Sequence, residues 1–370
     1  MPHDPYKALY IHLPFCKHRC AYCDFTTRAV APDSVEIDEY IDNLILELRR
    51  KAKEGELAEI ETVYLGGGTP SFVGQARLSK LLYALGVSMN LTPEVECSME
   101  ANPDSLTPEL IRDIYALGVN RLSIGVQSFD DGLLKTLDRI HDSARAKQAV
   151  LDARERFENV SVDLMCGVPG QTPEMFEADA QTAVDLGVTH VSVYPLTIED
   201  HTPFRSMVDS GEIDDVDQDK EALMMSMAPN VLTPAGFHRY EVASYAREGF
   251  ECKHNIAYWT GVPYLGLGIS AVTMTQNDAR RMRVQDGEVQ DDLNRKQMCA
   301  EDLMMKMRMT RGVSDDELFA AAVVIPGALD VFNSLVRDKL VKREDGRWKP
   351  TFGGWLLGNE LYGRIYELAP

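Results

Sequence analysis

Ala8-Leu9-Tyr10-Ile11-His12-Leu13-Pro14-Phe15-Cys16-Lys17-His18-Arg19-Cys20-Ala21-Tyr22-Cys23-Asp24-Phe25 is the stretch on which the fold turns. Its first six residues are mostly apolar and read as a strand. Three cysteines follow at once, spaced C-x3-C-x2-C among Lys17, His18, Arg19 and Asp24, a polar setting that suits a loop better than a core. Three thiolates so spaced can wrap one face of an iron-sulfur cube. A fully ligated cube takes four, so three leave one iron open for the amino and carboxylate groups of a substrate. The competing reading is a zinc site, which needs a fourth ligand nearby; His12 and His18 are the candidates.

Outward from that loop, short β-branched runs alternate with amphipathic helical stretches. A long helix is expected over 34–54, and further strands over 62–65, 94–100, 121–125, 160–165 and 191–195. Thr107-Pro108-Glu109 and Thr172-Pro173-Glu174 are helix starts, with a hydroxyl to cap free amides and proline in the first turn. Six βα units of this kind predict an α/β fold, a full or partial TIM-like barrel whose functional residues gather at the C-terminal mouth. The rhythm loosens after residue 200. The expected division is a barrel over 1–240, a connecting segment over 241–295 and a winged-helix-like module over 296–370, with a capping box at Ser314 and Glu317 and a hairpin turn over 344–347.

With 45% hydrophobic and 26% charged residues, the 370-residue chain can bury one large core and a smaller second one. No apolar run reaches the roughly 18 residues of a membrane span, and 1–7 lack the order of a secretory signal, so the expected location is the cytoplasm. Seven cysteines, three of them clustered, suit metal ligation better than a disulfide framework. A net charge of -20 disfavours nucleic acid as a partner. The C-terminal module, with 11 basic and 11 acidic residues from Lys296 onward, makes a poor phosphate binder, which argues against a redox-sensing DNA regulator.

The triplet spacing resembles the radical-SAM superfamily, whose members carry a 4Fe-4S cluster and S-adenosylmethionine. Tyr10 to Cys16 and Cys20 to Phe25 are similar to the family of oxygen-independent coproporphyrinogen III oxidase and its relatives, and the likeness runs through almost the whole chain. It implies Cys16, Cys20 and Cys23 as cluster ligands and an electron donor to reduce the cluster. It also implies Tyr10, Tyr22, Gly67, Gly68, Thr69, Glu100, Gln127, Arg139 and Asp163 as S-adenosylmethionine contacts. The residue chemistry agrees. Gly66-Gly67-Gly68-Thr69-Pro70 lets backbone approach a ligand, Glu100 and Gln127 end strands, Arg139 can grip a carboxylate, and Asp163 is an acid in an apolar strand.

Within that family the sequence departs from the true oxidase. Asp24 and Phe25 stand where the oxidase has a further cysteine, and only 15 residues precede Cys16 where it carries an N-terminal arm. His254-Asn255-x-x-Tyr258-Trp259 resembles the haem-chaperone branch of the family, known as HemW-like. That resemblance implies haem as a bound group, a haem-acceptor protein as partner, and His254, Asn255, Tyr258 and Trp259 as haem contacts, with His254 the first choice of axial ligand and Cys252 ranked below it. The same cluster also suits a satisfied polar corner that packs the barrel against the C-terminal module. The rival activity is a radical oxidation of a porphyrinogen, within porphyrin metabolism.

Overall fold

The computed structural model describes residues 3–89 and 91–370. Its centre is a run of parallel strands in chain order: β1 (Ala8–Leu13), β2 (Thr62–Gly67), β3 (Glu96–Ala101), β4 (Arg121–Gln127), β5 (Asn159–Cys166) and β6 (His190–Pro195). Each expected strand is present, most of them longer than expected by a residue or two. Beyond β6 the sheet adds β7 (His238–Arg239) and β8 (Ser244–Ala246); beyond β1 it adds β9 (Tyr264–Leu267), β10 (Val272–Asn277), β11 (Arg280–Gln285) and β12 (Glu288–Asn294). The order β12-β11-β10-β9-β1-β2-β3-β4-β5-β6-β8-β7 has two free ends, so the barrel is partial.

Helices α1 (Val35–Lys53), α2 (Gln75–Ser88), α3 (Pro108–Ala116), α4 (Asp131–Thr136), α5 (Ser143–Arg154), α6 (Pro173–Asp185), α7 (Pro203–Asp209) and α8 (Gln218–Leu232) connect the strands of the central run and their continuation. In α1 the buried residues Ile37, Ile41, Leu44, Ile45 and Leu48 recur every three or four positions, the stripe a 3.6-residue period presents to a sheet. Each such side chain contributes roughly 1.5–3 kcal/mol on burial. Thr107 and Thr172 cap α3 and α6 by accepting from the amides of Leu110 and Met175, so both predicted starts are built as expected. Parallel pairing of β1 to β6 places the C-terminal ends of these six strands on one side, which is where the cysteine loop leaves β1.

Residues of the 241–295 stretch are not separate from the sheet: β9 pairs parallel with β1, Ala8 opposite Tyr264, and β10 to β12 continue it antiparallel. Before β9 lies the short helix α9 (Lys253–Trp259). The chain then forms α10 (Arg295–Lys306), β13 (Val313–Ser314), α11 (Asp315–Val324), α12 (Ala328–Arg337) and a hairpin of β14 (Val341–Glu344) and β15 (Arg347–Pro350). Asp345 and Gly346 turn that hairpin with φ of 52° and 70°, the left-handed pair a two-residue turn requires. Leu318, Phe332, Leu335, Trp348, Leu361 and Ile365 form a second core. The module is tied to the barrel by the Glu241–Met309 bridge and by Thr310, whose amide donates to the Tyr240 carbonyl at 2.9 Å.

Candidate functional site

The register of β1 against β2 brings the two glycine- and cysteine-bearing loops together. Leu13 lies opposite Gly67, and beyond them the amides of Gly68 and Thr69 donate to the carbonyls of Leu13 and Phe15 at 2.9 and 2.8 Å. Gly67 has φ of 111°, and a side chain on it would strike the His12 ring; one on Gly68 would meet the Phe15 carbonyl oxygen at 2.8 Å. Glycine is therefore required at both positions by space, and at Gly67 by conformation as well.

The three thiols sit in this cleft, each with a polar neighbour. Thr69 donates its hydroxyl to the Cys16 sulfur at 3.5 Å, Arg139 donates to the Cys20 sulfur at 3.4 Å, and Thr27 lies 3.9 Å from the Cys23 sulfur. Burial pushes the Cys16 thiol up and the charges of Cys23 and Cys20 add to this, which places the three sulfurs in one another's field. Among the described residues no three His, Cys, Asp or Glu side chains close around a single ion. The two histidines considered for zinc are engaged elsewhere: His12 with Tyr10 and the Thr26 carbonyl, His18 with Asp138 at 2.6 Å. Thiols spread one by one along a single loop suit a multi-iron cluster, which takes one thiolate per iron, better than they suit a mononuclear ion.

The other expected contacts divide into two groups. Around the thiols, Asn102 links two of them: its amide donates to Thr69 Oγ1 at 3.1 Å, and its carbonyl accepts from Arg139 at 2.9 Å. Arg139 also donates to the Gly125 carbonyl at 2.7 Å, so both terminal nitrogens are engaged while its buried Nε has no partner. Gln127 flanks Gly125, with φ of 68°, and Tyr22 packs edge-on against Phe204 at 6.3 Å. Inside the barrel, Tyr10 stacks on Tyr64 at 6.3 Å, Tyr64 donates to Glu100 Oε1 at 3.0 Å, and the Gly67 amide donates to Glu100 Oε2 at 3.0 Å. Burial raises the Glu100 carboxyl to about 7. It also raises Asp163, which accepts from Ser123 at 3.2 Å.

The haem grip expected of His254, Asn255, Tyr258 and Trp259 is not formed. As predicted, the segment is helical and stacks His254 on Tyr258, but α9 lies at the opposite end of the strands from the cysteines. His254 Nδ1 is hydrogen-bonded to Thr62, the first residue of β2, at 2.9 Å, whereas the thiols face its last, Gly67. Six residues of strand separate those ends by roughly 16 Å. His254 Nε2 is taken by the Tyr258 hydroxyl at 3.1 Å, and the side chain is buried, so neither nitrogen is open to a metal. Cys252 is also fully buried, its sulfur on Glu96 and its thiol pushed up to about 12. Trp259 faces the C-terminal module, with the Arg308 guanidinium 5.0 Å above its ring. The polar-corner alternative is the one the fold builds.

Sequence reasoning missed three residues that organise these sites. Asn102 stands two places after Glu100, just past the end of the same strand, and its side-chain amide was the one available signal. Glu96 accepts from the backbone amides of Lys253 and His254 at 3.0 and 3.1 Å and so anchors the start of α9. Asp179 on α6 accepts from the Ser128 hydroxyl and the Phe129 amide at 2.6 and 2.7 Å, fixing the turn after Gln127. No local pattern distinguishes the last two from solvated carboxylates.

Residues 10–183 match the Radical SAM superfamily. Along nearly the full length, the chain is 33% identical to heme chaperone HemW of Bacillus subtilis (strain 168), covering 96% of this chain and 98% of that one. It is 35% identical to heme chaperone HemW of Mycobacterium tuberculosis (strain ATCC 25618 / H37Rv), over 94% and 93%. The chain belongs to the HemW family. Heme chaperone HemW of Escherichia coli (strain K12) is 37% identical over 72% of this chain. The fold is shared with the solved structure of coproporphyrinogen III oxidase (HemN) from Escherichia coli, at a TM-score of 0.80 and 21% identity over 98% of this chain and 90% of that one. Membership of the radical-SAM superfamily implies a 4Fe-4S cluster and S-adenosylmethionine, and the thiol loop beside the glycine turn fits both.

Proposed function

We propose that the protein is a haem chaperone that binds haem and passes it to an acceptor protein. The observation that carries this is the near end-to-end likeness to heme chaperones of the HemW family. In this reading Cys16, Cys20 and Cys23 hold the 4Fe-4S cluster, whose open iron binds S-adenosylmethionine and which an electron donor reduces. The backbone of Gly67 and Gly68, with Thr69 and Gln127, lines the cofactor's approach. Arg139 and Asn102 brace the loop, and Tyr10, Tyr22, Glu100 and Asp163 contact the cofactor from the barrel wall. Seven cysteines free of disulfides support the reading that the protein works in a reducing compartment, the cytoplasm. No helix among the described residues is long and apolar enough to cross a membrane. The electrically balanced C-terminal module is winged-helix-like and serves as packing on the barrel, not as a DNA reader.

Porphyrinogen oxidation is the weaker reading, because the oxidase shares the fold at low identity and Phe25 stands where it carries a further cysteine. The haem ligand is sought among the histidines that are open to solvent, His3, His18, His201 and His238, rather than at His254. The test is anaerobic haem titration of the cluster-loaded protein, followed by absorption, with alanine at each of these five histidines. Saturable one-to-one binding, lost in one exposed variant, is the expected result. No saturable binding in the wild type overturns the chaperone function.

A further inference from the structure

The motif that the fold carries to the closed end of the barrel still needs a role, and its contacts lead toward the mouth. His254 is pinned on three sides: Nδ1 by Thr62, Nε2 by Tyr258, and its backbone amide by Glu96. Its ring lies against Tyr64, with centroids 5.2 Å apart and planes inclined by 30°. Tyr64 in turn stacks with Tyr10, ring centroids 6.3 Å apart and planes inclined by 25°. A phenol in contact with two rings has little freedom, and its hydroxyl donates to Glu100 Oε1.

A second observation points the same way. Thr62, Tyr64 and Gly66 alternate along β2 and share its inward face. At Gly66 a side chain would sit 2.9 Å from the Tyr64 ring and 3.0 Å from the Glu100 carboxylate. The strand leaves a gap at the one place where the tyrosine and the carboxylate meet. With Oε1 held by Tyr64 and Oε2 by the Gly67 amide, Glu100 is aimed by β2 alone.

We propose that His254 is a positioning residue for the S-adenosylmethionine site, acting through Tyr64 on Glu100 along the depth of the barrel. This rests on the reading of Glu100 as an S-adenosylmethionine contact. The motif is then a support for the cofactor site rather than a haem ligand. Removing the imidazole lets the phenol tilt into the space it leaves, and Glu100 loses the donor that sets its angle.

The experiment is S-adenosylmethionine binding to the full-length, cluster-loaded protein by anaerobic calorimetry, with haem stoichiometry measured on the same samples. His254→Ala and Tyr64→Phe are each expected to weaken binding about tenfold, and the double variant to be no worse than either, since both act on one contact. Thr62→Val, which removes only the hydroxyl that anchors Nδ1, should give a smaller loss of the same sign and covers the case in which His254→Ala does not fold. Haem stoichiometry should hold throughout.

Glu100→Gln separates the two levels. If it leaves the affinity unchanged, the cofactor-site reading fails and the proposal with it. If it lowers the affinity while His254→Ala and Thr62→Val do not, or if the losses in the double variant add, the coupling alone is overturned. Loss of haem with unchanged S-adenosylmethionine affinity in His254→Ala would restore the ligand role.

Discussion

The guanidinium of Arg139, which follows α4, reaches the sulfur of Cys20 in the loop after β1 and lies 3.4 Å from it. The other terminal nitrogen holds Asn102 and the Gly125 carbonyl. One side chain therefore joins the cluster loop to the ends of two further strands. Arg139→Ala should lower iron and sulfide content after reconstitution and weaken S-adenosylmethionine binding about tenfold. Arg139→Lys should not restore either, because an ammonium cannot reproduce a planar fork. Wild-type iron content and affinity in both variants would remove Arg139 from the site.

Replacing Cys16, Cys20 or Cys23 by serine, one at a time, should abolish the cluster while the chain stays folded. The three residues lie in a loop whose backbone is held by bonds that use no sulfur: the amides of Cys23, Val30 and Phe204 donate to the carbonyls of Cys20, Cys16 and Ala21. Iron analysis and visible absorption read the first part, far-ultraviolet circular dichroism the second. Retention of a full cluster by all three variants would sink the assignment.

Asp179 is buried and binds the turn that carries Gln127 and Ser128. Asp179→Ala leaves the Phe129 amide and the Ser128 hydroxyl without a partner in an enclosed site, at a cost of about 1–3 kcal/mol for each such group. Urea denaturation should show that loss, with an unchanged slope. S-adenosylmethionine affinity should fall as well if the turn sets Gln127.

How much of this was legible depended on the range of the interaction. Strands β1 to β6, the threonine caps at Thr107 and Thr172 and the Ser314 box are written in neighbouring residues, and a period or a cap suffices to see them. The cysteine loop and the glycine turn were legible for the same reason, being contiguous. What could not be read was which end of the barrel each later segment reaches. His254 follows β8 in the chain, but its position is decided by Thr62, 192 residues earlier, and by Glu96, 158 residues earlier. The chemistry of the motif is written in adjacent residues, but the end of the barrel to which the topology returns it is not.

The buried histidines also set a pH dependence. His254 is pushed down to about 3 by burial and then by the charge of Arg121, and His141 to about 4 by burial and then by Arg139. The unfolded chain takes up these protons near pH 6.5, while the folded one refuses them until the lower values, so acidification favours unfolding throughout that window. Glu100, raised to about 7, and Asp179, raised to about 6, act oppositely. They remain protonated in the fold where the unfolded chain has ionised, so they add stability as pH falls from 7 to about 4.5 and nothing below it. The two effects offset each other above pH 4.5, and the histidines act without that offset from there to pH 3. Thermal denaturation across this range should therefore show a shallow change followed by a steep loss. In His254→Gln, which cannot titrate, the loss below pH 4.5 should be reduced, so the gap between wild type and variant should narrow as the acid limit is approached. A gap that stays constant from pH 7 to 3 would mean that His254 is not held neutral in the folded protein.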